Sequence, residues 1–243
     1  MDTLPTRHYL QDIARVMGKV QQTYLPAEPH DWHRGLVING GLRTAPLPGT
    51  AAVILNMQRG TVSVAEHTWQ LGKTSPQELM TGLKGWLAAH HIEKIPEEPE
   101  LTGEAAYEHE QAIHISQMLA WTGDVLGEVK APIKEGMTSP ILLFPHHFDV
   151  SLVWFPYKDD RQVSFGFSFG DEHIEGPYFY SSAYPEPAGF TDRNLPGGAY
   201  WHDKGFRGAV LLYDIAQRSK EPRATVMAFC KAMASHAKEA FEV

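Results

Sequence analysis

Two short histidine clusters are the first residues in this sequence whose chemistry stands out. His30-Asp31-Trp32-His33 precedes a predicted strand, and His146-His147-Phe148-Asp149 lies between two predicted strands, directly after a proline. Imidazole and carboxylate groups bind zinc, iron and manganese, and they also act as general acids and bases. The candidate ligands of such a divalent metal are His33, His146 and His147. Two independent surface clusters are the alternative, since sequence separation does not show that the clusters meet.

A tyrosine-rich stretch over residues 178–187, YFYSSAYPEP, is the second chemical feature. Alternation along a strand would place three of its tyrosines and a serine on one face, where phenols orient a ligand by stacking and hydrogen bonding. Glu186 stands between two prolines, which hold its carboxylate on a stiff, extended segment. That carboxylate suits a base, a metal ligand or a ligand anchor. An aromatic core face followed by an exposed turn is the alternative.

The clusters and the tyrosine-rich stretch together predict a pocket lined by histidine, tyrosine and carboxylate groups. The candidate catalytic residues are His33, Asp149, Tyr180, Tyr184 and Glu186. The candidate substrate-binding residues are Trp32, Arg43, Phe148, Tyr178 and Trp201. Arg43 would hold an anionic group by a bidentate contact. Trp201 follows a long loop rich in proline and glycine, and it would cover the pocket as a lid unless that loop is only a connection.

The elements that would position these residues follow from hydrophobic spacing and turn residues. A helix over about residues 6–24 precedes short strands and a helix that Ser75-Pro76-Gln77-Glu78 opens with a capping box. A second series begins with a helix over about residues 105–130 and ends with a helix over about residues 222–241. Each series therefore reads helix, strands, helix.

The strand predicted at residues 162–169 alternates with a period of two. Its three phenylalanines face one way, and Ser164, Gly166 and Ser168 face the other. Such a strand has one apolar face for a core and one face of small polar residues.

The two series predict two similar halves, at residues 1–95 and 104–243, with a linker at residues 93–103 that is rich in glutamate and proline. The matching pentapeptides VMGKV and VLGEV, at residues 16–20 and 125–129, indicate an internal duplication around a pseudo-twofold axis, unless the match is a coincidence of two amphipathic helices. One integrated domain is the alternative. The predicted fold class is α+β, with mainly antiparallel sheets and helices packed on one face.

Composition limits the classes of protein that this chain can be. Its 243 residues are 43% hydrophobic and 21% charged, which excludes a disordered, collagen-like or coiled-coil chain. The formal net charge of -8 repels phosphate backbones, so a nucleic-acid partner is not expected. The single cysteine, Cys230, allows no intrachain disulfide and fits a reducing compartment.

Signals for membranes and for nucleotide cofactors are missing from the sequence. No apolar run reaches the roughly 18 residues of a spanning helix, and the first residues do not resemble a secretion signal. The sequence contains no P-loop and no GxGxxG that opens a helix after a strand, so no nucleotide cofactor is expected. We therefore expect a soluble, cytoplasmic protein of bacterial type.

Several of these motifs resemble a bacterial family known only as a domain of unknown function. The resemblance covers nearly the whole chain, and it is carried by Trp32-His33, LRTAPLP at residues 42–48, Phe148-Asp149-Val150 and, most specifically, FYSSAYPEPAGF at residues 179–190. It implies a soluble bacterial protein with a shared site, but no reaction. The family-like positions are Trp32, His33, Arg43, Pro46, Phe148, Asp149, Tyr180, Tyr184 and Glu186.

The sequence departs from this family at two places. Members often have a Trp-Gly pair shortly before Phe-Asp and a His-Glu pair in the following strand, where this chain has Pro145-His146-His147 and, at residues 165–168, FGFS. A metal site that uses the His-Glu pair would be incomplete here. Either His146 and His147 compensate, or this member has a different activity.

Two functions of different classes follow from the sequence, of which we favour the first and keep the second as the alternative. The first is an enzyme that acts on a small polar or aromatic molecule by acid/base or metal-assisted chemistry. The second is a non-catalytic protein that binds a small molecule or forms a homodimer through exposed aromatic residues. The absence of a catalytic triad or cofactor motif favours the second, and the scatter of polar residues over an apolar scaffold favours the first.

Overall fold

A computed structural model describes residues 4–47, 51–92, 94, 96–103 and 106–242. The helices are α1 Leu4–Tyr24, α2 Pro76–Ala89, α3 His109–Lys130, α4 Tyr213–Arg218 and α5 Pro222–Phe241, with short 3-10 helices at Pro29–Arg34 and Phe190–Asp192. The strands are β1 Leu36–Ile38, β2 Leu42–Arg43, β3 Val53–Asn56, β4 Thr61–Val64, β5 His67–Gln70, β6 Met137–Thr138, β7 Leu142–Phe144, β8 Asp149–Phe155, β9 Gln162–Ser168, β10 Tyr178–Tyr184, β11 Tyr200–His202 and β12 Gly208–Leu212. The predicted α+β class with antiparallel strands is confirmed.

Contacts divide the chain into two compact units, which we call the first and second units. The first contains residues 1–121 and 142–148, and the second contains residues 122–141 and 149–243. The predicted division into two duplicated halves stays a prediction. Glu93, Ile95 and Ala105, at the ends of the predicted linker and long helix, lie outside the described residues, as does Pro48 of the LRTAPLP motif.

The first unit orders its strands β7-β1-β2-β3-β4-β5, and every neighbouring pair in that order is antiparallel. Helix α1 buries Leu10, Ile13, Met17 and Val20, which recur at the spacing of one helical face. The capping box at α2 is present as predicted, because the Glu78 N–H donates to the Ser75 hydroxyl and the Glu78 carboxylate accepts from the Ser75 N–H.

The second unit orders its strands β11-β12-β10-β9-β8, again antiparallel, with β6 paired to β8. Helix α5 packs against β9, β10 and β12. The buried side chains of this core include Phe165, Phe167, Phe179, Leu211, Phe229 and Met233. The predicted alternation of β9 is confirmed, because its phenylalanines enter this core and its serines lie on the other side of the sheet.

Two element boundaries differ from the predictions for local reasons. Helix α3 begins at His109, several residues after the predicted start, while residues 106–108 are not helical. The last predicted strand ends at Leu212, because the chain turns there directly into the short helix α4. No helix in the described part of the chain is long and apolar enough to cross a membrane.

Candidate functional site

Strand register in the second unit gathers a set of hydroxyl-bearing side chains on the side of the sheet opposite the phenylalanine core. Tyr180 of β10 pairs with Gly166 of β9, which pairs in turn with Ser151 of β8. Residues directly opposite each other on adjacent strands point to the same face of the sheet, and so do residues two apart along one strand. We call this set the tyrosine–serine face; its members are Asp149, Ser151, Ser164, Gly166, Ser168, Tyr178, Tyr180 and Ser182.

A short hydrogen bond on this face joins Tyr180 to Asp149. The Tyr180 hydroxyl donates to Asp149 Oδ2 at 2.5 Å, across the intervening strand β9. The ring crosses at Gly166, where an added Cβ would stand 2.1 Å from Tyr180 Cζ. Glycine at position 166 is thus what allows the phenol to lie across β9 and reach the carboxylate.

A second phenol–carboxylate pair lies at the end of the face. The Tyr178 hydroxyl donates to Asp171 Oδ2 at 2.5 Å, and Asp171 also accepts from the backbone N–H groups of His173 and Ile174. Tyr178 is buried in a small apolar cluster with Ile174 and Val210, and Phe206 packs against that cluster. The segments around Ile174 and Phe206 therefore cover this end of the tyrosine–serine face.

Burial and the two aspartates keep both phenols protonated. Burial is the largest cause that raises the pKa of Tyr180 well above its ordinary value, followed by the negative charge of Asp149. Burial also raises the pKa of Tyr178, with the hydrogen bond to Asp171 as the next cause. A phenol with a raised pKa stays a hydrogen-bond donor at neutral pH, so each aspartate carboxylate accepts a hydrogen bond from a protonated tyrosine.

Hydroxyl groups also pair at the other end of the face. Ser164 Oγ and Ser182 Oγ are 2.7 Å apart, and the Ser182 N–H donates to Ser164 Oγ at 3.3 Å. Both serines are half-buried. The tyrosine–serine face is therefore covered and apolar at the end near Tyr178, and it is polar and more accessible at the end near these serines.

Three further predicted residues of the second unit, all within the described range 106–242, make no contact with the Tyr180–Asp149 pair. Tyr184 ends β10 on the same side of the sheet, with 62% of its surface exposed. Glu186 accepts an ion-pair contact from Arg207 Nε at 3.0 Å. Trp201 pairs with Ala209, so its side chain lies on the side of the sheet opposite to Tyr180. Its indole N–H donates to the Arg193 carbonyl at 2.8 Å. The structure thus brings Tyr178, Tyr180 and Asp149 together, but it gives Trp201 no place over them.

The predicted residues of the first unit make local contacts of their own. His33 Nδ1 accepts from the Glu28 N–H at 3.1 Å, and the rings of His30 and Trp32 are 5.5 Å apart. Arg43 is half-buried on β2, opposite Val37 and Ile54. Phe148 is fully buried.

His146 and His147 are exposed, with ring centroids 4.2 Å apart. The carbonyl of His146 accepts from the Gln11 amide and the Arg15 guanidinium. His146 is exposed as a whole, but partial shielding of its ring from water is the main cause that lowers its pKa, followed by the positive charges of His147, Arg15 and Arg34. Within the described residues, no group of three or more histidine, cysteine, aspartate or glutamate side chains is placed to hold a metal ion.

A second concave surface of the second unit lies between residues 193–196 and helix α5. It is a shallow groove of about 660 Å³, lined by small apolar residues and by Lys231, His236 and the Arg193–Glu239 ion pair. No predicted site residue lines this groove. It is the natural competitor to the tyrosine–serine face as a place for a ligand.

Several functional candidates escaped sequence reasoning. Ser151 lies in no motif, and only the strand register places it beside Tyr180, whereas alternation along β10 had already predicted Ser182 on this face. Asp171 and Phe206 lie in loops, and the hydrophobic spacing of the sequence does not predict where loop side chains lie. Alternation was the usable signal, because in β9 it assigned Ser164 and Gly166 to the face away from the core and in β10 it assigned Tyr178 and Tyr180 to one face.

Comparison with known proteins places the chain in one family. The sequence model of DUF5996, a family of unknown function, matches residues 1–162 and 156–241. The chain therefore belongs to this family, as the resemblance of its motifs predicted. Neither a curated protein nor a solved structure matches the chain.

Proposed function

We propose that the tyrosine–serine face binds a small polar or aromatic molecule, and that Asp149, oriented by Tyr180, performs acid/base chemistry on it. The observation that supports this proposal is the 2.5 Å hydrogen bond from the Tyr180 hydroxyl to Asp149 Oδ2, on a sheet whose other face is the apolar core. Phenol and carboxylate groups so arranged can hold and pass a proton.

The two groups have different roles in this proposal. The raised pKa of Tyr180 keeps its proton in place, so the phenol orients the carboxylate and donates to it. Asp149 is half-buried and is the group that would accept a proton from a bound molecule. Tyr180 is thus a positioning residue, and Asp149 is the catalytic residue.

In this proposal, the serines bind the polar groups of the ligand. Polar side chains on a partly buried sheet face cost free energy unless they are hydrogen-bonded, and apolar residues would pack there at lower cost. The hydroxyls of Ser164 and Ser182 hydrogen-bond to each other, and Ser164 Oγ also contacts the backbone N–H and carbonyl of Ser182. A hydroxyl can exchange such a neutral contact for one to a polar ligand, because it both donates and accepts.

Binding without catalysis is the second candidate function. The covered cluster around Tyr178 and Phe206 favours it, because a phenol held protonated against apolar neighbours is a donor but a poor proton carrier. Exposed Tyr184 and Tyr200 would allow the same surface to serve a homodimer. We propose a location in the bacterial cytoplasm, which the single cysteine fits. We expect no nucleic-acid partner, because the net charge of -8 repels phosphate backbones.

A thermal-shift screen tests the proposal. The full chain is screened against amines, sugars, polyols, amino acids and carboxylates, and each stabilising compound is tested again on Tyr180→Phe and Tyr213→Phe. Tyr213 is the matched control, because its ring packs against Phe167 and Phe179 in the core on the other side of the sheet. We expect a compound whose stabilisation survives in Tyr213→Phe and is lost in Tyr180→Phe. Equal responses in both variants would contradict the site.

Catalysis is tested separately on such a compound. Its conversion, or exchange of its protons in deuterated water, is followed by NMR with the wild type and with Asp149→Asn. We expect the variant to bind the compound and to lose at least about 100-fold in rate, the scale of general acid–base catalysis. Binding with no conversion or exchange in the wild type would leave the second candidate.

A further inference from the structure

We propose that the ligand of the tyrosine–serine face is an organic cation, a protonated amine that places its ammonium group against Asp149 and the ring of Tyr180. This inference rests on the proposed function, since it takes that face as the binding site. It adds the chemical class of the ligand, which neither the fold nor the family assigns.

The strands of the face carry one formal charge, and it is negative. Alternation and register assign to this side of β8, β9 and β10 the tyrosines, serines, Asp149 and Gly166 already named, together with Val153, Phe155, Gln162 and Tyr184. On β12 and β11 they add Gly208, Val210, Leu212, Tyr200 and His202. Within these described strands, neither lysine nor arginine points to this side, and Asp149 is the only carboxylate.

The two loops that cover the face are also acidic. Residues 171–175 meet the face through Ile174, and residues 203–207 meet it through Phe206. Their charged residues are Asp171, Glu172, Glu175 and Asp203 against Lys204 and Arg207, with His173 and His202 beside them. Arg207 is already paired with Glu186 at 3.0 Å. The loops therefore add negative charge to that of Asp149, and an anion placed here would be repelled.

Aromatic rings at the same place favour an organic cation over a hydrated metal ion. The Tyr180 ring lies across Gly166, and the Phe206 ring stands 6.0 Å from it at a steep angle. The rings of Tyr178 and Phe206 are parallel, 6.2 Å apart. Ring faces attract ammonium groups, and hydroxyl groups nearby accept their N–H bonds.

The titration of the tyrosines agrees with this charge distribution. Burial is the largest cause that raises the pKa of Tyr178 and that of Tyr200. The negative charges of Asp171 and Asp149 also raise the pKa of Tyr178, and the charge of Asp171 also raises that of Tyr200. Phenols on two strands thus experience the negative charge of Asp171.

Three probes of one shape and different charge test the inference. Benzylamine, benzyl alcohol and benzoate carry a cation, a neutral group and an anion on the same ring, and their binding to the full chain is measured by titration calorimetry at pH 7. We expect benzylamine to bind at least about tenfold more tightly than the other two. Asp149→Asn should remove that preference, while Asp214→Asn, which alters an exposed carboxylate on α4, should keep it.

The outcomes separate this inference from the proposed function. If benzyl alcohol or benzoate binds as tightly as benzylamine, or if Asp149→Asn keeps the preference, the cation class is wrong. If benzylamine fails to bind while binding of a neutral or anionic compound from the thermal-shift screen depends on Tyr180, the ligand is not an organic cation, but the tyrosine–serine face is still the binding site. If no probe and no screened compound binds, both the cation inference and the proposed function are contradicted. Circular dichroism checks that Asp149→Asn is folded, and Asp171→Asn gives a second, milder reduction of the same charge.

Discussion

Gly166 lies directly beneath the phenol ring of Tyr180. A Cβ built on Gly166 would stand 2.3 Å from the Tyr180 hydroxyl and 2.1 Å from Cζ, closer than any real contact allows. The absence of a side chain at one position of β9 therefore allows a tyrosine of β10 to reach an aspartate of β8.

Gly166→Ala should displace the Tyr180 ring and break its hydrogen bond to Asp149. Overpacking of this kind costs about 1–3 kcal/mol, so urea unfolding should show a lower free energy of unfolding. Gly127→Ala is the control, because a Cβ on Gly127 in α3 meets no atom within 4 Å. That helical substitution should be neutral or stabilising by up to about 1 kcal/mol. An equal loss in both variants would contradict the close approach.

Alkaline pH should destabilise the protein through its buried phenols. A phenol whose folded pKa is raised contributes stability that is fully present below pH 10 and is lost as pH rises above it, because the unfolded chain ionises first. Each tyrosine held protonated lowers the free energy of unfolding by about 1.4 kcal/mol per pH unit in that window. Denaturant unfolding between pH 9 and 11 should therefore show a shallower slope for Tyr180→Phe than for the wild type. Identical slopes would mean that Tyr180 titrates normally.

Acid should act on the first unit through His146. Its pKa is lowered, so the unfolded chain binds a proton there more readily than the folded one, and stability falls as pH drops below the unfolded value of about 6.5. His146→Gln should lose less stability than the wild type between pH 7.5 and 5.5. His114→Gln, which changes an exposed histidine of α3, should behave as the wild type. The prediction is wrong if both variants follow the wild-type curve.

Metal content is a separate prediction about the histidine clusters. His33 Nδ1 already accepts from the Glu28 N–H, and His146 and His147 together offer two ring donors, fewer than the three protein ligands of a zinc site. We therefore expect well under one zinc, iron or manganese per chain after purification without chelator. Elemental analysis measures this directly. Near-stoichiometric metal that disappears in His146→Gln or His33→Gln would contradict the expectation and restore those histidines as ligands.

Sequence patterns predicted the framework of the site better than its contacts. The alternation of phenylalanine with serine and glycine in β9 assigned each residue to its face, and the alternation of β10 did the same for Tyr178 and Tyr180. Contact between Tyr180 and Asp149 depends on the register of three strands across 31 residues of sequence, which no local period encodes. For the same reason, pairing with β12 decides that Tyr200, and not Trp201, shares the face of Tyr180.

Loop residues were the least predictable part. Asp171 reaches Tyr178 because its carboxylate also caps the turn at His173 and Ile174, and Phe206 folds onto the face beside Gly208. Glu186, singled out by its two prolines, pairs with Arg207. Polar loop contacts of this kind follow from the fold as a whole, since neither hydrophobic spacing nor turn type specifies them.

Amide NMR with the best compound of the thermal-shift screen tests the central claim most directly. Two-dimensional spectra of the full chain, recorded as that compound is added, show which backbone groups sense it. We predict the largest shifts at Ser151, Ser164 and Tyr180. Shifts confined to Lys231, His236 and the groove beside α5, with those three amides unmoved, would contradict the assignment of the tyrosine–serine face as the site.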